Sequence, residues 1–146
     1  MQLRDRIKRH ESFRPFVYDD ATGKELKPGD TVKGTPTFGY GFTRVDAEES
    51  EMMLDRRIAA ATRDARDVVL IFDNLDRVRR DALIEMAYQL GGPRFSGFKR
   101  MIAAVNMRDW QAAYEEALDS RWAEQTPSRA HEIAGMLLTG NKPAGG

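Results

Sequence analysis

The chain changes character at Asp46. Ahead of it, turn-forming residues recur every few positions: Asp20-Ala21-Thr22-Gly23, then Pro28-Gly29-Asp30, then a run rich in Thr, Gly and aromatics from Thr31 to Phe42. Punctuation this dense leaves room only for short strands, of which Phe16-Val17-Tyr18 is the plainest, and predicts a small antiparallel sheet. Behind Asp46, apolar residues fall at steps of four and three: Leu54, Ile58, Ala61, Ala65 and Val68. That is helical spacing. A helix of ~20 residues spans roughly 30 Å, long enough to run from one lobe into another. Asp46 with Glu49 three residues later has the form of a capping box, with Asp in place of Ser or Thr.

The rest of the chain continues in helices. Leu3 and Ile7 make one apolar stripe on a short helix over residues 2–11, with Arg4, Arg6, Lys8 and Arg9 around it. Asn74 stands where it can cap a helix carrying Leu83, Met86, Ala87 and Leu90, stopped by Gly91-Gly92-Pro93. Ser96 is placed to cap another, with Phe98, Met101, Ile102 and Val105. Trp110, Ala113, Tyr114 and Ala117 form the next stripe. Thr126-Pro127 opens a last helix, with Pro at a position where its missing N–H costs nothing, and Gly140 ends it. The expected class is α+β: a small antiparallel-sheet lobe at about 12–45, a long connecting helix at about 46–70, and an all-helical lobe at about 71–140 with the helix of residues 1–11 packed on it. Pockets favour the seams of such units. The tail from Asn141 to Gly146 reads as disordered.

With 146 residues, the chain suits one compact domain or two small lobes sharing a helix. Its 23 basic and 23 acidic side chains cancel, so no bulk attraction toward nucleic acid or membrane is implied. There is no cysteine, which excludes disulfides and thiolate metal sites. MQLRDRIKRHESF has no apolar core of a signal peptide, and no run approaches the ~20 apolar residues that cross a bilayer. The expectation is a protein made in the cytoplasm, without membrane insertion.

The residues that invite chemistry lie in HESFRPFVYDD, residues 10–20. Glu11 closes the first helical pattern, where the negative end of the helix dipole disfavours its ionised form. Cover from Phe13 or a neighbouring lobe would raise its pKa further, as a general acid requires. Phe16, Tyr18 and Asp20 share one face of the strand, and Asp19 points the other way. Read singly, Glu11 is a solvated glutamate, and Asp19 or Asp20 a turn aspartate bonding its own backbone. Two carboxyls flanking a bond, one protonated and one ionised, are also the equipment of glycoside hydrolysis. Thr37, at the head of Thr37-Phe38-Gly39-Tyr40-Gly41, can hold a water by its hydroxyl, though a strand threonine needs no such role. The Gly-x-Gly here completes no dinucleotide fingerprint, and no Walker lysine follows. His10 and His131 have no metal-ligand spacing, and no nucleophile elbow is present. No metal and no cofactor are expected.

Four stretches, in this order and at this length, resemble the phage-type lysozymes, the muramidases or endolysins of glycoside hydrolase family 24. They are Glu11-Ser-Phe-Arg-Pro-Phe-Val-Tyr-Asp-Asp20, Thr37-Phe-Gly-Tyr-Gly41, Met86-Ala-Tyr-Gln-Leu-Gly91 and Ser120-Arg-Trp-Ala-Glu-Gln-Thr-Pro-Ser-Arg129. The resemblance runs almost end to end and implies one lysozyme-like domain over 1–146, with its active site between two lobes. It puts the catalytic proton donor on Glu11, and Asp20 and Thr37 on the attacking water, giving inversion. It also implies substrate contacts at Thr43, Tyr88, Met101 and Glu116, and a supporting cation, Arg129, which approaches the glutamate or tethers the lobes. The partner it implies is the peptidoglycan glycan strand, cut at the β-1,4 bond between N-acetylmuramic acid and N-acetylglucosamine by a monomer. Such an enzyme leaves the host cytoplasm through a membrane lesion, or travels in the virion.

The sequence departs from the family pattern in places. Ser12 stands for a glycine common after the glutamate, and Phe42 for a frequent histidine after the second glycine. The segment from Lys24 to Pro36 is long, and reads as a lengthened hairpin. Met101 and Glu116 are not the small polar or amide side chains expected there. Two other functions stay open at this level. A lytic transglycosylase would cut the same bond without water, leaving Asp20 and Thr37 redundant. An inactive wall-binding module would need none of the three.

Overall fold

A computed structural model describes residues 2–144. Met1, at the head of the expected first helix, and Gly145 and Gly146, in the tail, lie outside the described residues. Two compact units divide the chain, Met1–Glu51 and Met52–Gly146.

The first unit begins with helix α1, Leu3–Glu11. The helix stops because Ser12 turns to φ 56°, while its N–H still bonds Lys8 O at 3.0 Å. Strand β1, Arg14–Asp19, then pairs antiparallel with β2, Pro36–Gly39, through Tyr18 opposite Thr37 and Asp19 opposite Pro36. The register slips between Arg14 and Tyr18. The lengthened hairpin is present between the strands: Leu26 N–H bonds Val17 O at 2.8 Å, and Asp19 N–H bonds Lys24 O at 2.9 Å. Beyond β2 the chain doubles back at once, with Phe38 and Phe42 exchanging two backbone bonds of 2.8 Å around Gly39-Tyr40-Gly41. Helix α1 groups with this sheet in the first unit.

Helix α2, Ala47–Val68, starts at the capping box. Asp46 N–H donates to Glu49 Oε2 and Glu49 N–H to Asp46 Oδ1, both at 2.8 Å. The second unit holds the rest of α2 and six more helices among the described residues: α3, Arg77–Leu90; α4, Gly92–Ser96; α5, Lys99–Asn106; α6, Trp110–Leu118; α7, Arg121–Gln125; and α8, Pro127–Thr139. Alanines 113, 117, 130 and 134 are fully buried where α6 and α8 meet. Small side chains there let the helix axes approach, and Leu83, Phe95, Val105 and Leu137 fill the core around them.

Four helix starts differ from the sequence reading, those of α3, α4, α5 and α7. Asn74 lies in a 3-10 turn, Phe72–Asn74, and Asp76 caps α3 by accepting from Arg79 N–H at 3.0 Å. Burial works against the Asp76 carboxylate, but the Arg79 N–H and guanidinium outweigh it and hold its pKa below the usual value of 3.8. Ser96 ends α4, turning its hydroxyl back to Pro93 O, so α5 starts without a side-chain cap. Pro93 opens α4 after Gly91 at φ 80° has ended α3. Helix α7 was not expected; Ser120 caps it through Ala123 N–H.

Side chains stitch the helical unit together. Arg79 donates to Leu137 O at 2.7 Å and Leu138 O at 3.0 Å, closing the end of α8, and lies 4.1 Å above the Trp110 ring. Gln89 accepts the Trp122 indole N–H at 2.9 Å. Gly140, at φ 69°, ends α8 in the left-handed conformation expected of it. Among the described residues, no helix is long and apolar enough to cross a membrane.

Candidate active site

Glu11 is the last residue of α1, and the turn after β2 is shaped around it. A Cβ on Gly41 would run into the Glu11 carboxylate, with Cδ at 3.0 Å. Gly41 also sits at φ 77°, which an L side chain rarely adopts. Tyr40, between the two glycines, packs on Phe13 at 5.4 Å between ring centroids and lies under Lys8 Nζ at 5.6 Å. The Gly39-Tyr40-Gly41 turn therefore clasps the end of the helix that carries the glutamate. Glu11 itself is exposed. Phe13, one of its two expected covers, is 60% exposed and gives its ring to Tyr40.

Asp20 and Thr37 are joined through one residue. Thr35 N–H donates to Asp20 Oδ1 at 2.7 Å, and Thr35 O accepts both Asp20 N–H at 3.2 Å and Thr37 Oγ1–H at 3.0 Å. Thr37 is buried, on β2, and Asp20 is exposed. Asp19, the last residue of β1, is not idle. Its side chain is buried and accepts from Lys33 N–H at 2.6 Å and from Ala21 and Gly34 N–H at 2.9 Å. The Lys33 N–H leads in holding its pKa below 3.8, against the opposing effect of burial, with help from the other two amides and the Lys33 charge.

The remaining expected contacts are spread out. Thr43 is exposed just past the β2 turn. In the second unit, Tyr88 is 40% exposed on α3 and borders a hollow of about 230 Å³ with Arg57, Ala60, Asp64 and Gly91. Met101 and Glu116 come together on a groove of about 520 Å³ along α5 and α6. Met101 is only 1% exposed and belongs to the core, because α5 turns it inward among the helices; its side chain packs first and edges the groove second. Arg94, Lys99, Arg100 and Arg121 rim the same groove, and Phe98 and Trp122 meet edge-on beneath it. Arg129 Nε lies 3.2 Å from Glu85 Oε1, so within its own unit it ties α8 to α3.

Comparison with known proteins decides what this arrangement belongs to. The sequence profile of the phage lysozymes matches residues 8–138. The chain belongs to the phage lysozyme family. It is similar to the pre-baseplate central spike protein Gp5 of Enterobacteria phage T4, 33% identical over 100 residues, which are 66% of this chain and 17% of that protein. Two Dictyostelium discoideum proteins, probable T4-type lysozymes 1 and 2, are each 28% identical over 99 residues, covering 66% of this chain and 58% of theirs. The chain thus spans little more than half of those lysozymes and a small part of the spike protein.

Within this phage lysozyme fold, sequence reasoning missed three residues that shape the site: Asp19, Gly34 and Thr35. The turn reading of Asp19 covered its bond from Ala21 N–H two residues on, but not Lys33 and Gly34, which lie 14 and 15 residues on. The available signal was Lys33-Gly34-Thr35 at the return of a long hairpin, where a glycine admits close backbone approach.

Proposed function

We propose that this phage lysozyme is a peptidoglycan hydrolase that cleaves the β-1,4 bond from N-acetylmuramic acid to N-acetylglucosamine with inversion. The observation that carries the reading is the shared use of Thr35. The Thr37 hydroxyl has one proton, and Thr35 O engages it, so toward a water this hydroxyl is an acceptor. Asp20 accepts Thr35 N–H on Oδ1, which leaves Oδ2 free. A water that donates one hydrogen to Asp20 Oδ2 and the other to Thr37 Oγ1 turns its lone pair outward, toward an anomeric carbon. Asp20 takes the proton as that water attacks, and Glu11 supplies one to the departing glycosidic oxygen. A transglycosylase has no use for a second acid and a hydroxyl aligned on one backbone unit, which favours hydrolysis.

Thr43, Tyr88 and the groove bearing Met101 and Glu116 are read as contacts for the glycan and its peptides, with Arg129 in support. The setting is bacterial lysis or entry by a phage, with the enzyme released through a membrane lesion or carried on the virion. The test is product analysis on purified peptidoglycan. New reducing ends, lost in Glu11→Gln and strongly reduced in Asp20→Asn, support the reading. Products ending in 1,6-anhydro sugar would establish the transglycosylase instead, and lysis by Glu11→Gln at the parental rate would remove Glu11 from catalysis.

A further inference from the structure

Asp19 and Asp20 both grip the same returning segment. Asp19 holds the backbone N–H groups of Lys33 and Gly34, and Asp20 holds that of Thr35. Gly34 lies between these grips with no side chain, and it has no room for one. A Cβ there would collide with Asp20 Oδ1 and would stand 2.8 Å from both the Ala21 Cβ and N. Thr35, next in line, sets the direction of Asp20 and of the Thr37 hydroxyl together.

Between Asp20 and Thr35 the chain makes a long excursion whose internal bonds lie at its own turns, such as Lys27 N–H to Asp30 Oδ2 at 2.8 Å. Its outgoing limb is tied to β1 by Leu26 N–H to Val17 O and by Asp19 N–H to Lys24 O, and its return needs a pin of its own to keep register. The Asp19 carboxylate supplies the pin: it takes three backbone amides and is nearly sealed from water at 2% exposure. Lys24, Glu25, Asp30 and Lys33 line with it a hollow of about 250 Å³. Asp19 therefore holds residues 33 and 34 directly beside Thr35, the residue that Asp20 and Thr37 share.

We propose that Asp19 is a positioning residue for the water-side pair, holding residues 33–35 in the one register that aligns Asp20 with Thr37. The proposal rests on the hydrolase reading for its effect on rate, but its geometry can be tested without it.

The experiment compares Asp19→Asn, Gly34→Ala and Asp30→Asn with the parent. Asn at 19 keeps the shape but has one acceptor oxygen and an amide that repels an N–H. It is expected to lower kcat for reducing-end release by about 10- to 100-fold with KM unchanged, the scale of a small misplacement of reacting groups. Gly34→Ala, which pushes on Asp20 directly and keeps the Asp19 carboxylate, is expected to do the same. Asp30→Asn loosens the hairpin tip alone and is expected to keep the parental kcat. Native-state amide exchange at Thr35 is expected to speed up about 10-fold or more in Asp19→Asn and to stay unchanged in Asp30→Asn. Parental kcat in a folded Asp19→Asn, unchanged Thr35 exchange, or an equal loss of kcat in Asp30→Asn overturns the proposal. Should Asp19→Asn fail to fold, parental kcat in Gly34→Ala overturns it. A folded parent that releases no reducing ends sinks the hydrolase reading, and Thr35 exchange then decides the positioning role alone.

Discussion

Single residues around the first helix carry most of the site's design. Ser12 occupies a backbone position, φ 56° and ψ 139°, that suits glycine, which explains physically why a glycine is the common residue there. Ser12→Gly is expected to raise stability by about 1 kcal/mol, or ~3 °C in Tm, after allowing for the added freedom of the unfolded chain. Thermal melts of the two proteins check this; a lower Tm in the glycine variant would refute it. Gly41→Ala is expected to act on activity instead, since its methyl group displaces the Glu11 carboxylate. A loss of about 10-fold or more in kcat is the expected outcome, read on peptidoglycan. At this scale legibility was uneven. Glu11, Asp20 and Thr37 stood out only because four stretches in order resembled a family; singly each had a plainer explanation. The Glu11 carboxylate that crowds Gly41 belongs to tertiary structure and has no local signal. Asp19 was set aside on strand alternation, a rule that fixes a direction and is silent about partners.

Elements were more legible than their ends. The capping box at Asp46 was read from two acids three residues apart, and both reciprocal bonds are present. Asn74 and Ser96 are good caps by residue type, yet neither starts a helix. The chain first makes a tight turn at Phe72–Asn74, and Ser96 finds an acceptor in Pro93 three residues behind it. Local preference lost in both cases to the packing of buried Phe72 and Phe95. Helix α7 was missed because five residues show no period. The closure of α8 is not local at all, since Arg79 reaches across 58 residues to Leu137 O. Arg79→Met, which keeps much of the stem but leaves two carbonyls without their donor, is expected to lower stability by about 2–3 kcal/mol. Denaturant unfolding checks this, and a loss below about 0.5 kcal/mol would mean that water replaces the guanidinium.

For the whole molecule, charge sets two expectations. Equal numbers of basic and acidic residues leave no long-range field to draw an anionic wall, so any steering is local, from Arg4, Arg6, Lys8, Arg9 and Arg14. Lysis is expected to fall only weakly between low and moderate salt, and a steep loss of rate would contradict this. Each unit has a carboxylate, Asp19 in the first and Asp76 in the second, whose pKa is held below 3.8 in the fold. A lowered folded pKa contributes stability that is complete above the unfolded value and disappears as pH falls through the folded one. Unfolding midpoints are therefore expected to hold down to about pH 4 and to drop below it, with Asp19→Asn and Asp76→Asn each flattening that drop. Denaturant titrations across about pH 2 to 6 provide the check.

The two tryptophans, one beneath a guanidinium and one hydrogen-bonded to Gln89, both lie beyond residue 51. Intrinsic emission at tryptophan wavelengths is therefore blind to the unit that carries Glu11, Asp20 and Thr37. A preparation can give a native-looking spectrum while its acids hang on an unravelled hairpin. Tyr40→Trp would put a lamp at the turn that clasps Glu11.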